Sequence, residues 1–234
     1  MFSSFAERSQ EKELMDLGPD YYSHDEYIQC LKKLFQVNKL LGFFRNTVNT
    51  LKKCSKESTL LDIGCGGGLF ILYLSRFFPQ MKMHGVDVSP EAIVESEQSL
   101  HAWQRKNGAL RVTFELQKNP ELNAAKNSVD IILATLVCHH MSNEELVEFL
   151  RQAYLIANKA IIINDLHRHR LAYWLYAVIS PLLFRNRLIT HDGLISIRRG
   201  FTRAEWKLFL NQAGIENYEL KWRFPFRWKL ILWK

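Results

Sequence analysis

The chain has 234 residues, of which 47% are hydrophobic and 24% are charged. This length and composition predict one globular domain with a sizeable core and exclude a largely disordered chain. The longest apolar run, residues 171–184, is too short to cross a bilayer, which argues against a transmembrane protein. The four cysteines contain no C-x-x-C pair, and no charged-then-apolar leader precedes them, so we expect a reducing, cytoplasmic setting.

Positive charge is concentrated in the last third of the chain. The net charge is +7 at pH 7, and residues 167–234 carry 13 Lys and Arg side chains against 4 Asp and Glu side chains. A solvated basic surface is the simplest interpretation, since charged faces often bind nothing specific. The alternatives are a face for an acidic substrate, an anionic membrane or a nucleic acid.

The spacing of apolar residues predicts a helical N-terminal region followed by alternating strands and helices. Residues 25–53 place apolar side chains at the spacing of amphipathic helices. Farther along, short apolar runs predict strands, and capping side chains predict the starts of helices. The expected elements, in chain order, are strand 59–63, helix 69–78, strand 81–88, a helix from Ser89 to about Lys106, strands 111–116 and 129–135, a helix capped by Ser142 or Asn143, strand 160–163, a helix from Thr202 to about Gly214, and strands 218–222 and 226–233.

This alternation is typical of an α/β domain with a doubly wound sheet. We expect seven strands, mostly parallel, with the last two forming an antiparallel C-terminal hairpin. Residues 1–53 are expected to form a helical extension or lid, and residues 54–234 the main domain. Residues 168–200 are longer than a simple connection requires, and we interpret them as an insertion.

The loop after the first strand contains four glycines in five residues, from Gly64 to Gly68. Ligands of doubly wound sheets bind beyond the carboxyl ends of the strands, so this loop is the expected binding site. Glycine allows a tight turn and a close approach of the ligand to the backbone. A merely tight turn from strand to helix is the alternative. The spacing matches neither G-x-G-x-x-G nor the G-K-[ST] ending of a phosphate loop, which disfavours NAD and ATP.

Two acidic residues accompany this loop. Asp62 precedes the glycines, which follow it at positions +2, +4 and +6, and Asp87 ends the second strand. A carboxylate at the end of this strand can accept hydrogen bonds from both hydroxyls of a ribose. The pattern therefore favours a nucleoside with an intact diol and without a diphosphate.

The acid, the glycines, Asp87 and the order of strands resemble the class I S-adenosylmethionine-dependent methyltransferases. The resemblance implies a Rossmann-like methyltransferase domain with S-adenosyl-L-methionine as its cofactor. It also implies that Gly64, Gly66 and Gly68 pass beside the methionyl and ribose parts of the cofactor. Asp62 would orient the loop, and Asp87 would hold the ribose diol.

The remaining cofactor contacts implied by the resemblance lie in three other places. Cys65 and Val88 follow the first and second strands, and Thr135 ends the fourth strand. Many members of the family contact the adenine amino group through an acid after the third strand. This chain has no acid there, which leaves the side-chain carbonyl of Gln117 or Asn119 as the candidate.

Four side chains are candidates for a general base. Methyl transfer from a sulfonium requires a base only if the acceptor must lose a proton. His139 and His140 follow the fourth strand, where the family places its substrate, and Asp165 and His167 follow the fifth strand. Alternatively, the histidines cap the next helix or pack within the loop. No segment shows a convincing four-ligand metal spacing, so we expect no metal.

Two segments look like a bacterial small-molecule branch of the family that modifies quinones or polyketides. They are Glu13-Leu14-Met15-Asp16 and residues 165–174. This likeness implies a small, hydrophobic or aromatic acceptor and phenolic O- or C-methylation. The aromatic and arginine-rich residues 168–200 would then form a lid over the acceptor. The alternatives are a helix that completes the core and a face that rests on an anionic membrane.

Two other functions are compatible with the same motifs. The basic C-terminal third favours an RNA or protein methyltransferase, but residues 134–137 lack the Asn/Asp-Pro-Pro-aromatic motif and no Pro-Cys is present. A nucleic-acid partner is therefore not expected. The second alternative is a non-catalytic module that binds S-adenosylmethionine. The identity of the acceptor and the oligomeric state are left open by the sequence.

Overall fold

The apolar runs of the sequence form a single mixed sheet. The computed structural model describes residues 5–54, 57–118, 122 and 125–234, and within them seven strands lie in the order β3-β2-β1-β4-β5-β7-β6. The strands are β1 (Thr59–Ile63), β2 (Lys82–Asp87), β3 (Val112–Leu116), β4 (Val129–Thr135), β5 (Ala157–Leu166), β6 (Tyr218–Arg223) and β7 (Arg227–Trp233). The predicted seven-stranded α/β fold is confirmed.

The strand order reverses direction at β1, which pairs in parallel with both β2 and β4. Strands β1 to β5 are parallel, whereas β7 pairs antiparallel with β5 and with β6, as the predicted hairpin requires. The carboxyl ends of β1 and β4 therefore border the crevice where ligands of such sheets bind. The strands in the middle are apolar because helices cover both of their faces.

Helices cover the two faces of the sheet and its carboxyl edge. On one face, Leu146 and Trp206 pack on the sheet, and on the other face Phe44, Ile71 and Leu100 do so. The helices are α1 (His24–Leu40), α2 (Phe43–Leu51), α3 (Leu69–Ser75), α4 (Pro90–Asn107), α5 (Asn143–Ile156), α6 (Arg170–Leu183), α7 (Gly193–Arg199) and α8 (Arg203–Gln212).

Two elements differ in length from the prediction. Strand β5 runs from Ala157 to Leu166, because β7 pairs with it from Ala160 to Leu166, far beyond its four consecutive apolar residues. Helix α3 ends at Ser75, three residues before the predicted end. The polar end of β5 is stabilised by pairing with a strand that is distant in sequence, which local apolarity does not reveal.

The N-terminal residues and the predicted insertion lie against each other at the carboxyl edge of the sheet. Residues 168–200 form α6, a turn of π-helix at Leu188–Asp192, and α7. The carboxylate of Asp192 accepts hydrogen bonds from the N–H groups of Leu14 and Met15. Residues 14–21 form two short 3-10 helices rather than the continuous helix typical of an amphipathic extension. In the described part of the chain, no helix is long and apolar enough to cross a membrane.

Candidate active site

The glycine loop packs too tightly to hold a side chain at two positions. Gly64 and Gly68 have φ angles of +65° and +72°, in the left-handed region that favours glycine. A Cβ atom at Gly64 would lie 2.4 Å from Val137, and one at Gly68 would lie 2.5 Å from Phe114. The loop is therefore a bare backbone surface at the start of α3, as a ligand in close contact requires.

Two carboxyl groups lie beside this loop, that of Asp62, which is buried, and that of Asp87, which is partly buried. Asp87 accepts hydrogen bonds from the N–H groups of Gly66 and Ser89 at 2.8 and 2.9 Å. Burial raises the pKa of Asp87, although these N–H groups oppose the change. Burial and the charge of Asp87 also raise the pKa of Asp62 to about 8. A cationic ligand at this place would stabilise both carboxylates.

A cavity of about 770 Å³ begins at the glycine loop and extends to the loop after β4. Pockets for small ligands usually measure about 300–1,000 Å³. Seven of the predicted cofactor residues line the cavity: Asp62, Gly64, Cys65, Gly66, Asp87, Val88 and Thr135. At the far end its lining includes Glu13, His139 and His140.

Three predicted cofactor residues are placed differently. Gly68 packs against Phe114 and Ser96 behind the cavity wall. Gln117 donates its backbone N–H to the carbonyl of Asp87, and it lines a different groove along the outer strands. Asn119 lies outside the described residues. Recognition of the adenine amino group by either side chain stays a prediction.

His139 forms a buried pair with Asp165. The imidazole is 3% exposed, and its Nδ1 lies 2.8 Å from Oδ1 of Asp165. Burial alone would raise the pKa of Asp165, but the adjacent His139 lowers it below the usual value. Because Nδ1 donates to this carboxylate, Nε2 carries the free lone pair, and it lies 3.6 Å from Oε1 of Glu13.

His140 is held in the same way by a different carboxylate. Its Nδ1 lies 2.9 Å from Oδ1 of Asp16, and its Nε2 lies 4.0 Å from Oε2 of Glu13. Burial lowers the pKa of His140, but Glu13 and Asp16 outweigh it and raise the pKa to about 9. The two neighbouring histidines thus share one carboxylate at the cavity wall.

His167, the fourth candidate base, lies outside this group. Its Nδ1 accepts a hydrogen bond from the indole N–H of Trp222 at 3.1 Å, and its ring packs against Trp228. Burial, with the nearby His169 and Arg168, lowers the pKa of His167 to about 4. The pairing of β5 with β7 turns this side chain toward the hairpin instead of the cavity.

Two arginines that the sequence did not single out hold the histidine loop. Arg8 donates to the carbonyls of His139 and Met141, and Arg199 donates to the carbonyls of His139 and His140. Both guanidinium groups are largely buried. These arginines are far from the loop in sequence, so no local pattern predicts their contacts with it. By contrast, Glu13 and Asp16, which contact the histidines, belong to a motif that the sequence analysis identified.

Solved structures of methyltransferases share this fold. The magnesium protoporphyrin IX methyltransferase of Synechocystis PCC 6803 with bound S-adenosylmethionine superposes with a TM-score of 0.63 at 16% identity, covering 97% of this chain and 99% of that chain. A methyltransferase from Aquifex aeolicus gives a TM-score of 0.58 at 20% identity, covering 79% and 87%. At these identities the likeness establishes the fold.

Sequence comparison supports the same class of enzyme. Residues 61–159 match the model of a methyltransferase domain. The ubiquinone biosynthesis O-methyltransferase of Azorhizobium caulinodans is 31% identical over 167 residues, which are 70% of this chain and 61% of that protein. These matches and the shared fold support a class I S-adenosylmethionine-dependent methyltransferase. It spans less than two thirds of the length of this relative.

The family confirms the prediction of S-adenosylmethionine as cofactor. The residues present fit that molecule, because a cavity of about 770 Å³ is lined by the glycine loop together with Asp62 and Asp87, whose ionised carboxylates would favour its positive charge. The individual contacts of the cofactor with Asp62, the glycines and Asp87 stay predictions.

Replacement of Gly68 by Ala is expected to weaken both folding and cofactor binding. The left-handed backbone alone costs about 1–2 kcal/mol for a residue with Cβ, and Phe114 must also move. Gly42→Ala is the matched control, since Gly42 has the same left-handed conformation, with φ +76° and ψ +9°, but no atom within 4 Å of the added Cβ. Thermal denaturation and titration calorimetry with S-adenosylmethionine measure both effects. If Gly68→Ala had the melting temperature and the S-adenosylmethionine affinity of the wild type, this account of the loop would be wrong.

Asp87→Asn is expected to lower the affinity for S-adenosylmethionine by about 10- to 100-fold. The substitution removes charged acceptors, and a hydrogen bond to a charged group contributes about 1.5–3 kcal/mol. Asp130→Asn is the control, because Asp130 also accepts a backbone N–H, from Thr59, but at the opposite end of the sheet. Calorimetry that finds wild-type affinity in Asp87→Asn would remove Asp87 from the ribose site.

Proposed function

We propose that this protein transfers the methyl group of S-adenosylmethionine to a small aromatic acceptor at a phenolic oxygen, or at a ring carbon activated by loss of the phenolic proton. The observation that carries the proposal is the His139–Asp165 pair in the wall of the cavity that begins at the glycine loop. One cavity thus brings a cofactor surface and a proton acceptor together.

The chemistry follows from this placement. The acceptor oxygen attacks the methyl carbon in line with the breaking carbon–sulfur bond, and S-adenosylhomocysteine leaves. Nε2 of His139 takes the hydroxyl proton, and the buried carboxylate of Asp165 stabilises the resulting imidazolium. Holding acceptor and methyl group in contact can supply about 7–11 kcal/mol of the barrier reduction.

The cavity wall supports a hydrophobic acceptor. Between the glycine loop and the insertion, apolar and aromatic side chains form most of its surface, among them Leu31, Leu34, Phe35, Phe44, Tyr176 and Phe184. The O-methyltransferase of ubiquinone biosynthesis among the relatives supports the same class of acceptor.

The free state of Cys30, Cys54, Cys65 and Cys138 supports a reducing, cytoplasmic setting.

We further propose that the described N-terminal residues as far as the end of α1 and residues 168–200 act as one lid over the acceptor, whereas α2 packs in the core of the main domain. Besides the Asp192 contacts, the hydroxyl of Ser196 donates to Glu13 at 2.7 Å. Asn186 donates to the carbonyl of Glu26, and Arg187 pairs with the carboxylate of Glu26 at 3.0 Å. These bonds join the two segments to each other, so they would exclude water from the acceptor together.

The class of acceptor is tested by incubating the protein with a cell extract and cofactor carrying a radiolabelled methyl group. Label is expected in the organic-soluble fraction, and Asp87→Asn is the negative control. Label in RNA or protein would instead show the alternative methyltransferase classes. Label in no fraction, with S-adenosylmethionine bound, would indicate a non-catalytic module.

His139→Gln is expected to lower turnover on catechol or 3,4-dihydroxybenzoate by about 10²- to 10⁴-fold, the usual contribution of a positioned base. Cofactor affinity should stay at the wild-type value, because the imidazole of His139 contacts Asp165 and Glu13 rather than the glycine loop. His167→Gln is the matched control, since His167 follows the same strand as Asp165 but faces the hairpin. Wild-type turnover in His139→Gln would rule out this residue as the base.

We also propose that α6 rests on an anionic membrane, where a lipid-soluble acceptor would be found. One face of this 14-residue helix leaves large apolar side chains exposed: Leu171, Trp174, Leu175, Val178, Ile179, Leu182 and Leu183. Arg170 and Arg185 flank them, and residues 166–191 contain no Asp or Glu. A helix of this length measures about 21 Å, so it would lie in the interface rather than cross it.

Co-sedimentation with vesicles tests the membrane contact. The protein is expected to bind phosphatidylglycerol vesicles more strongly than phosphatidylcholine vesicles, and Val178→Asp with Leu182→Asp should abolish binding. Leu208→Asp is the control, because Leu208 is 52% exposed on α8, a different helix. Wild-type protein that stays in the supernatant with phosphatidylglycerol vesicles would overturn the proposal.

A further inference from the structure

Three side chains from two distant segments converge at the far end of the cavity. Glu13 comes from the N-terminal residues, and His139 and His140 come from the loop after β4. One ligand atom from each of the three lies within 4.8 Å of the other two. The sequence alone predicts no metal, because no single segment has the spacing of a metal site.

Each imidazole turns one nitrogen toward the carboxylate of Glu13, and an ion bound there would replace any proton on that nitrogen. Each Nδ1 is held by a carboxylate, that of Asp165 for His139 and that of Asp16 for His140. The opposite nitrogens, both Nε2, approach the two oxygens of Glu13 at 3.6 and 4.0 Å. Histidines that bind metals usually donate their other N–H to a carboxylate in this way, which fixes the tautomer.

The charges around this group favour a cation. Three carboxylates, those of Glu13, Asp16 and Asp165, contact the two imidazoles. The guanidinium groups that contact the same loop are those of Arg8 and Arg199, and both donate to backbone carbonyls of the loop. Because Arg199 pairs with Asp16 at 3.2 Å, the carboxylate that faces both Nε2 atoms is that of Glu13, and it places negative charge where an ion would bind.

We propose that Glu13, His139 and His140 bind a divalent transition-metal ion at the acceptor end of the cavity. Two imidazoles and one carboxylate suit Zn²⁺, Mn²⁺, Fe²⁺ or Co²⁺, and they leave coordination positions open on the cavity side. Magnesium, which prefers oxygen ligands, is disfavoured by this donor set.

The role of the ion rests on the proposed methyl transfer. An acceptor hydroxyl that coordinates the ion loses its proton more readily, and the proton passes to water, because the ligated Nε2 of His139 has no free lone pair. The oxygen then attacks the methyl carbon, and S-adenosylhomocysteine leaves as before. His139 is required whether it acts as the base or as a ligand of the ion, but only activation by the ion requires a metal.

Titration of the untagged, chelator-treated protein with Co²⁺ and Zn²⁺ tests the site. We expect one ion per chain by calorimetry and a visible absorption band for the Co²⁺ complex. Glu13→Gln and His140→Gln should each lower the affinity at least tenfold, and Asp16→Asn should lower it about 10- to 100-fold. His101→Gln is the control, because His101 is exposed on α4. Wild-type S-adenosylmethionine affinity in every variant would show that the fold is intact.

Two results would overturn the metal site. One is the absence of a stoichiometric ion, and the other is equal Co²⁺ affinity in Glu13→Gln, His140→Gln and the wild type. Methyl transfer to catechol, measured with and without chelator, separates this inference from the proposed function. Transfer that needs no metal leaves His139 as the base and removes the metal role. Metal binding without methyl transfer to any fraction leaves the site intact and rejects the proposed function.

Discussion

The buried carboxylate of Asp165 is the constraint on which the acceptor end of the site depends. It is fully buried at the end of β5, and a buried charge without partners costs several kcal/mol. Its partners are Nδ1 of His139 and the N–H groups of His139 and Leu166. Satisfying this one group therefore fixes both the backbone of the histidine loop and the tautomer of His139. Arg8 and Arg199 complete the arrangement by occupying the carbonyls of the same loop.

The topology of the sheet explains why the cofactor end and the acceptor end share one cavity. Strand β1 lies between β2 and β4, so the glycine loop, Asp87 and the histidine loop all leave the same edge of the sheet. Gly64 packs directly against Val137, which belongs to the connection that leads to His139. Contacts between rigid elements thus set the distance between the glycine loop and the histidine loop. A fixed distance is needed because an in-line displacement requires the acceptor and the methyl group to be held in contact.

The cofactor end was predictable from the sequence and most of the acceptor end was not. The glycine loop and Asp87 lie at the ends of strands that local apolarity reveals, so their position follows from the fold class. The pairing of His139 with Asp165 was partly predictable, because both residues lie at the ends of neighbouring parallel strands. By contrast, the convergence of Glu13 and Asp16 on the histidines depends on a segment of 3-10 turns held by Asp192 and Arg199. Contacts between side chains and distant backbone groups leave no periodic pattern, and the long β5 that turns His167 away arises from pairing with β7.

Negative charge at both ends of the cavity has opposite consequences for the two stages of a methyl transfer. The sulfonium of S-adenosylmethionine is positive, whereas the sulfur of S-adenosylhomocysteine is neutral after the methyl group has left. Asp87, and Asp62 in its ionised form, would therefore favour the charged cofactor over the neutral product. Carboxylates that bind the charged cofactor also stabilise the ground state. This would raise the barrier to methyl transfer unless the transition state were stabilised as well. The compensation lies at the other end, where the acceptor oxygen must carry negative charge before it attacks. A protonated or metal-bound histidine cluster beside Glu13 would stabilise that oxygen, and the attraction between the oxygen and the sulfonium would then draw the two reacting atoms together.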